Sequence, residues 1–346
     1  MKGLEDIKEK EACFYKKLKN KTVQCRLCPR YCVLKPGKWG NCNARKNIDG
    51  KLYSMVYGKA VSLAIDPIEK KPLFHFLPGS SALSIATAGC NFHCEFCQNW
   101  QISQVRPESV PYFSIMPKDV VNKALELKTI IISYTYTEPT IFYEYMFDIA
   151  KIAKQHKIKS VMISNGFINQ QPLAELIPFL DAANIDFKGP EKIYKKLCSA
   201  WRKPVEETII RLREKKVWLE LTNLIIPGYN DKEKEIRAIV NWIKENLGCD
   251  VPLHFSAFYP AYKMSYIKET NPKIVLKARK IALNSGLNYV YCGNILDEES
   301  STTYCPNCKK ALIRRKSFFV IENKIKKGKK GEGKCPYCNE KIAGVW

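Results

Sequence analysis

The segment TAGCNFHCEFCQNW (87–100) contains three cysteines, Cys90, Cys94 and Cys97, separated by three and then two residues. Three thiolates on one short loop can hold three corners of a 4Fe–4S cube and leave the fourth iron without a protein ligand. An incompletely ligated metal offers a position to a substrate, as the open position of a catalytic zinc site does. The spacing therefore predicts a 4Fe–4S cluster. The alternative is a zinc site that takes a fourth ligand such as His93.

Cysteine is abundant in this chain, with 15 residues, and eleven of them fall into three compact groups. The N-terminus lacks the apolar h-region of a secretory signal, so a cytoplasmic location is expected. In a reducing compartment, closely spaced cysteines indicate metal ligands rather than disulfides. Four further cysteines stand alone and are predicted to be small buried hydrophobic side chains: Cys13, Cys198, Cys249 and Cys292.

The two outer cysteine groups predict further metal sites. The C-terminal set resembles a pair of zinc-ribbon knuckles, CPNC and CPYC, and four thiolates close a tetrahedral structural site. Zinc is the expected ion there, with a rubredoxin-like iron as the alternative. The N-terminal set could hold zinc or a second iron–sulfur cluster that passes electrons inward, and both metals accept four thiolates. The sets are Cys305, Cys308, Cys335 and Cys338, and Cys25, Cys28, Cys32 and Cys42.

Composition and charge are those of a basic globular protein. Among 346 residues, 46% are hydrophobic and 26% are charged, and no run of uncharged apolar residues is long enough for a transmembrane helix. The formal charge of +23 makes nucleic acid the first partner to consider. Much of the charge is scattered as single lysines, and the run Lys324 to Lys334 is predicted to be a solvated loop, so nucleic-acid binding is not favoured.

The central region alternates short β-like segments with helical ones, which predicts βαβ units and a parallel sheet. We expect an α/β fold, an incomplete TIM-like (β/α) barrel of about six or seven strands. Small cysteine-ligated modules flank it, giving an N-terminal module (1–80), a core barrel (81–295) and a zinc-ribbon-like module (300–346). The predicted strands are 83–87, 129–134, 160–164, 182–187, 217–226, 252–258 and 288–292.

Helix signals and unusual loops fit this arrangement. Five apolar residues between Ile236 and Leu247 share one helical face, with Gly248 as a stop signal, and a second helix is predicted between Pro272 and Gly286. Parallel β/α sheets place their chemistry in the loops after the carboxyl ends of the strands. The cysteine loop and the segments TYTEP, SNG, DFKG and YCGN all occupy such loops.

The CxxxCxxC loop with an aromatic residue before its last cysteine resembles the signature of radical S-adenosylmethionine (SAM) enzymes. Together with DPIEKKPLFHFLPG (66–79), it resembles the radical SAM member of the AmmeMemoRadiSam system, which is similar to pyruvate formate-lyase activating enzymes. CRLCPRYC and TNLIIPGYND (222–231) extend the resemblance over most of the chain.

The resemblance implies a mechanism in which SAM chelates the open iron through its amino and carboxylate groups. One electron from the cluster would cleave the sulfonium, and the 5′-deoxyadenosyl radical would abstract hydrogen from a substrate. An electron donor such as flavodoxin or ferredoxin is implied, as are AmmeMemoRadiSam partner proteins. No membrane partner is expected.

The resemblance also implies residues that contact SAM. Glu138 takes the place of the glutamate in the family's Gly-Gly-Glu segment, although Tyr136-Thr137 replace the glycines, and its alternative role is a carboxylate at a helix N-terminus. Asn165 ends the third strand, where the alternative is an ordinary turn. Asp186 and Lys188 match an Asp-x-Lys of the activating enzymes, where the alternative is a structural ion pair.

Two residues on later strands are weaker candidates. His254 could hydrogen-bond SAM or substrate, or could be a buried histidine with its own partner. Cys292 could donate a hydrogen atom to a substrate radical, but a packed structural thiol is favoured.

Three alternatives to the leading function differ in class. One is an activase that places a radical on a glycine of a partner enzyme, and another is an RNA-modifying radical SAM enzyme, suggested by the positive charge. The third is a non-enzymatic metal-binding module that binds zinc throughout and never cleaves SAM.

Overall fold

The computed structural model describes residues 9–328 and 331–346. Lys329 and Lys330, which belong to the predicted basic run, lie outside the described residues. The chain divides into two compact units. Among the described residues, unit 1 comprises 9–66, 81–181 and 203–208, and unit 2 comprises 67–80, 182–202, 209–328 and 331–346. The predicted three-domain boundaries stay a prediction.

Unit 1 contains a parallel sheet preceded by small antiparallel sheets. Its strands are β1 (Lys10–Glu11), β2 (Tyr15–Lys17), β3 (Val23–Cys25), β4 (Val33–Leu34), β5 (Arg45–Ile48), β6 (Lys51–Ser54), β7 (Lys59–Ala60), β8 (Ser62–Pro67), β9 (Ser81–Ala86), β10 (Phe113–Ser114), β11 (Ile131–Tyr134) and β12 (Lys159–Ser164). β11 pairs in parallel with both β9 and β12. The N-terminal strands form the antiparallel sets β1-β6-β5 and β2-β3-β4.

The helices of unit 1 connect these strands. They are α1 (Trp100–Ser103), α2 (Pro117–Glu126), α3 (Tyr143–Gln155) and α4 (Gln170–Leu176), with 3-10 turns at Pro107–Ser109, Pro139–Phe142 and Ile177–Phe179. α3 buries Met146, Ile149, Ala150 and Ala153, which recur at helical spacing. β9, β11 and β12 run parallel to one another, and α2 and α3 lie in the connections between them. The carboxyl ends of these three strands therefore lie on one edge of the sheet.

Unit 2 continues the same β/α alternation. Its strands are β13 (Ala182–Asp186), β14 (Trp218–Ile225), β15 (Leu253–Ala257), β16 (Val290–Gly293), β17 (Thr303–Tyr304), β18 (Ala311–Lys316), β19 (Phe319–Asn323), β20 (Lys326–Lys327), β21 (Gly333–Lys334) and β22 (Lys341–Ile342). β13, β14, β15 and β16 pair in that order, all parallel.

The helices of unit 2 are α5 (Glu191–Cys198), α7 (Glu233–Leu247), α8 (Pro272–Asn284) and α9 (Glu298–Ser301). α6 (Lys203–Glu214) begins in unit 1, and 3-10 turns lie at Ile68–Lys70 and Tyr262–Met264. α7 buries its five predicted apolar residues. α8 starts where it was predicted, with the Asn271 side chain accepting a hydrogen bond from the Lys273 amide at 2.9 Å.

The predicted α/β fold with a parallel sheet is confirmed, and each of the seven predicted strands overlaps an observed one. β8 was not predicted. Its sequence, SLAIDP, ends in an aspartate and a proline that disfavour a strand interior. Within the described residues, no helix is long and apolar enough to cross a membrane.

A buried carboxylate organises the core of unit 2. Glu220 on β14 accepts hydrogen bonds from the Phe74 amide at 3.0 Å, the His75 amide at 2.7 Å and Trp218 Nε1 at 3.0 Å, and His254 Nε2 lies 2.7 Å away. Burial alone would raise the pKa of Glu220, but the hydrogen bonds and the charge of its neighbours lower that pKa below its usual value. The carboxylate therefore ties the segment before β9 to β14 and β15.

Replacing Glu220 with alanine is expected to lower the free energy of unfolding by about 3–5 kcal/mol, because three buried groups and the half-buried Trp218 lose their shared acceptor. Urea denaturation measures this value. The matched control is Glu245→Ala on the exposed face of α7, which should change stability by less than about 0.5 kcal/mol. Equal effects of the two substitutions would contradict the role given to Glu220.

Candidate functional site

The three cysteines of the CxxxCxxC motif lie on the loop between β9 and α1. Cys94 is buried, and the aromatic rings of Phe92 and Phe96 beside it are buried as well. The Phe92 ring packs edge-on against Phe167, with 5.2 Å between the ring centroids. The loop thus places its thiols against apolar side chains that limit the access of water.

Hydrogen-bond donors surround the sulfur atoms. The Phe92 amide donates to Cys90 Sγ at 3.3 Å, and Ser103 Oγ lies 3.2 Å from Cys97 Sγ. Burial raises the pKa of the Cys90 thiol well above its usual value. A metal ion reverses this effect, because it stabilises the thiolate directly. The loop therefore fits a metal centre whose sulfur atoms are also hydrogen-bonded, as in iron–sulfur proteins.

His93 is the residue that could have closed the site as a fourth zinc ligand. Its Nδ1 lies 2.8 Å from Gln104 Oε1, and its Nε2 lies 2.8 Å from Asn41 Oδ1. Both ring nitrogens therefore have hydrogen-bond partners on amide side chains. The three thiols fit a 4Fe–4S cluster with one open iron better than they fit zinc.

Glu138 lies at the start of the 3-10 turn that follows β11, and it is 1% exposed. Its Oε1 accepts from the Thr140 amide at 2.9 Å and from Ser164 Oγ at 2.7 Å, while Oε2 accepts from the Asn165 amide at 2.8 Å. Burial raises the pKa of Glu138, and these hydrogen bonds oppose that rise. The carboxylate links the loop after β11 to the end of β12. Its contact with SAM stays a prediction.

Asn165 is brought beside the cysteine loop. Its Nδ2 donates to Asn91 Oδ1 at 2.8 Å and lies 3.9 Å from Cys90 Sγ, while its Oδ1 accepts from the Phe167 amide at 2.9 Å. Gly166 follows with a φ of +72°, which glycine adopts at little cost. Asn91 was not singled out from the sequence. The available signal was its position directly after Cys90, in a loop that also contains aromatic residues.

Tyr136 lies two residues before Glu138 in the loop that follows β11. It keeps a left-handed backbone, with a φ of +64°, although it is not glycine. Its carbonyl oxygen accepts from Asn99 Nδ2 at 2.7 Å, and its hydroxyl donates to Asp66. These hydrogen bonds stabilise a conformation that is otherwise costly for tyrosine.

Asp186 and Lys188 lie at the end of β13, in unit 2. Lys188 Nζ donates to Asp186 Oδ2 at 3.0 Å, and the side chains are 10% and 40% exposed respectively. The backbone of Lys188 is fixed as well, since its amide donates to Tyr194 OH at 3.0 Å. The structure shows the ion pair that was the alternative interpretation, and a SAM contact by either residue stays a prediction.

His254 is buried on β15 with its Nε2 against Glu220. Its ring also packs against Phe74 and Tyr291, with centroid distances of 4.8 and 5.2 Å. This arrangement matches the alternative of a buried histidine with its own partner. A role in binding SAM stays a prediction.

The C-terminal cysteines form a compact group in unit 2. Their Sγ atoms all lie within 4.8 Å of one another, with Cys305 and Cys338 3.6 Å apart and Cys308 and Cys335 3.7 Å apart. Thiolates around one zinc ion stand about 3.8 Å apart, given a Zn–S bond of about 2.3 Å in a tetrahedron. The group can hold a single metal ion.

The four isolated cysteines differ in exposure. Cys198 and Cys292 are buried as predicted, and burial raises the pKa of Cys292 to about 12. Cys249 is half-buried and Cys13 is exposed, so the prediction of burial was wrong for both. Cys13 lies in the bend between β1 and β2, where its backbone amide donates to Glu144 at 2.7 Å while its side chain faces outward.

Replacing His93 with alanine should leave the metal content of the cysteine loop unchanged, because both ring nitrogens have hydrogen-bond partners on amide side chains. The matched variant Cys94→Ala should lose about four irons per chain after anaerobic reconstitution with iron and sulfide. Iron analysis of both proteins against the wild type measures the difference. An equal loss of iron in the His93 variant would identify His93 as a ligand.

The Radical SAM superfamily model matches residues 84–243. The uncharacterized protein MJ0808 of Methanocaldococcus jannaschii is 45% identical over 333 residues, covering 96% of this chain and 98% of that protein. A second protein of that organism, named provisionally as the glycyl-radical enzyme activating enzyme MJ1632, is 25% identical over 59% of this chain and 78% of its own.

Among solved structures, a domain of a pyruvate-formate lyase-activating enzyme from Bacteroides vulgatus has a TM-score of 0.42 at 16% identity. The similarity covers 47% of this chain and 98% of that domain. The matched family segment begins on β9 and includes the CxxxCxxC loop, Glu138 and Asn165, the residues that unit 1 brings together. The chain belongs to the radical SAM superfamily.

Proposed function

We propose that this protein cleaves SAM reductively at a 4Fe–4S cluster held by Cys90, Cys94 and Cys97, and that the resulting radical abstracts hydrogen from a substrate. When bound, the cluster and SAM supply one electron and a 5′-deoxyadenosyl radical. The observation that carries the proposal is the loop of three thiols whose neighbouring His93 is hydrogen-bonded at both ring nitrogens. An iron left without a protein ligand is where SAM would bind.

The protein's own groups would tune and shield this centre. The Phe92 amide and the Ser103 hydroxyl lie at the sulfur atoms, where they would disperse negative charge and so help to set the reduction potential. The buried rings of Phe92 and Phe96 would exclude water that competes for a reactive radical.

The strand-end residues would position the cosubstrate. Asn165 is held next to Cys90 through Asn91, so its amide would border the SAM pocket. Glu138 would accept a hydrogen bond from the amino group of SAM while it holds the Asn165 backbone in place.

The substrate proposed here is a protein or small molecule linked to AmmeMemoRadiSam partners, on the basis of sequence blocks such as DPIEKKPLFHFLPG (66–79). Radical SAM enzymes in general need an electron donor, and a flavodoxin or ferredoxin is the proposed one. Activation of a glycyl-radical enzyme is the second candidate, favoured by the similarity to MJ1632 over 59% of this chain. This second function would require a stable glycyl radical to form on a partner protein.

Anaerobic incubation of the reconstituted protein with dithionite and SAM is expected to yield 5′-deoxyadenosine and methionine, measured by liquid chromatography. Cys94→Ala should yield neither product above background, because the cluster loses one of its three ligands. His93→Ala serves as the matched control and should retain the product. Product from Cys94→Ala at the wild-type level would contradict the assignment.

The C-terminal metal is proposed to be zinc with a structural role, because its thiol distances of 3.6 and 3.7 Å fit one tetrahedral ion. The site adjoins a small core that includes Tyr289, Leu312, Ile313 and Trp346. Losing the ion should therefore loosen this core as well.

The variant Cys338→Ser should lose about one zinc per chain and melt at a lower temperature, while the iron content stays that of the wild type. Metal analysis and thermal unfolding measure the two effects. Iron in place of zinc after purification from zinc-containing medium would contradict the proposed ion.

A further inference from the structure

The four N-terminal cysteines surround one cavity of unit 1, apart from the CxxxCxxC loop. Cys25 ends β3, Cys28 and Cys32 lie in the turn before β4, and Cys42 lies between β4 and β5. All four thiols line the cavity, together with two arginines and a buried asparagine, namely Arg30, Arg45 and Asn91. Four thiols around one cavity are a complete ligand set for a metal centre.

The spacing of these thiols favours a cluster over a single ion. Throughout residues 9–328 and 331–346, the C-terminal cysteines are the one group of three or more Cys, His, Asp or Glu ligand atoms that lie within 4.8 Å of one another. The N-terminal thiols are therefore not packed that closely, and neither are the three thiols of the CxxxCxxC loop. Ligands of an iron–sulfur cluster bind different irons and stand further apart than ligands of one zinc ion.

Arg45 provides an unused hydrogen-bond donor at a residue that lines the cavity. Arg45 is 1% exposed, and its Nη1 donates to the Cys13 carbonyl at 3.0 Å while its Nη2 donates to Glu144 Oε1 at 2.5 Å. The third group, Nε–H, is buried without a hydrogen-bond partner, although Arg45 lines the cavity. An unmade hydrogen bond on a buried donor is costly, and the sulfur atoms of an anionic cluster would accept it.

The cavity is connected to the CxxxCxxC loop through the main chain. The Cys42 carbonyl accepts a hydrogen bond from the Cys90 amide at 3.2 Å. Gly89 has a φ of +98°, and a Cβ atom on it would lie 2.4 Å from the Cys42 carbonyl oxygen. The close contact between these two segments of main chain therefore requires glycine at position 89. Asn91 lines the cavity and also accepts from Asn165, which lies near Cys90 Sγ. Cys42 of the N-terminal group and Cys90 of the CxxxCxxC loop are therefore in direct contact.

We propose that Cys25, Cys28, Cys32 and Cys42 hold a second iron–sulfur cluster that passes one electron to the cluster on Cys90, Cys94 and Cys97. The electron-transfer part depends on the proposed function. A one-electron carrier of the flavodoxin or ferredoxin class reduces the second cluster, which is reoxidised as the first is reduced. No bond forms or breaks in this step. The short contact between Cys42 and Cys90 is the route.

The metal site is tested in the full chain with Cys90, Cys94 and Cys97 all replaced by alanine. After anaerobic reconstitution, this protein should retain about two to four irons per chain and a low-temperature EPR signal on reduction with dithionite. SAM should leave the signal unchanged, because every iron already has a thiolate. An additional zinc ion in place of iron, or no metal beyond the C-terminal site, would overturn the proposal.

The relay is tested with the double variant Cys28→Ser/Cys32→Ser and with Cys249→Ser as the matched control. The rate of 5′-deoxyadenosine formation with reduced flavodoxin is divided by the rate with dithionite, a small reductant that reaches either cluster. The ratio should fall about tenfold or more in the double variant and stay at the wild-type value in the control. A wild-type ratio in the double variant would overturn the relay.

The two proposals fail differently. If the wild type forms no 5′-deoxyadenosine with dithionite, the proposed function is wrong, while the iron content and EPR signal of the triple alanine variant still decide the second cluster. If 5′-deoxyadenosine forms but the triple variant lacks iron, the second cluster is wrong and the proposed function stands.

Discussion

The engagement of both ring nitrogens of His93 is the constraint on which the account of the site depends. Gln104 Oε1 and Asn41 Oδ1 each lie 2.8 Å from a nitrogen of the ring, and the proposed ligand set of the loop is its three cysteines. A histidine with one free nitrogen would complete a tetrahedral zinc site and close the metal to substrates. Three thiolates fit a cubic cluster that leaves one iron without a protein ligand.

The same region shows how the strand ends are held together. Glu138 accepts from groups on its own turn and from the end of β12, and Asn165 carries that connection to Asn91 in the cysteine loop. On the other side, the Cys42 carbonyl meets the Cys90 amide. The loop is therefore fixed from two directions by hydrogen bonds, which suits a centre whose ligands must keep their positions while its charge changes.

Much of this arrangement could be predicted from the sequence, and the reason is local. Short β-branched runs such as SVMIS and the cysteine loop after the first predicted strand contain their structural signal within a few residues. The interactions that were missed join distant residues: Arg45 and Glu144 are 99 positions apart, and Asn91 and Asn165 are 74 apart. No periodicity or spacing pairs such residues, because only the folded chain brings them together.

The central claim is that SAM binds directly to an iron of the cluster on Cys90, Cys94 and Cys97. Pulsed electron–nuclear double resonance of the reduced protein, with SAM labelled with nitrogen-15 at its amino group, measures this contact. The account predicts a hyperfine coupling from the labelled nitrogen that is absent in the Cys94→Ala variant. A cluster signal from the wild-type protein with no nitrogen-15 coupling at saturating SAM would contradict it.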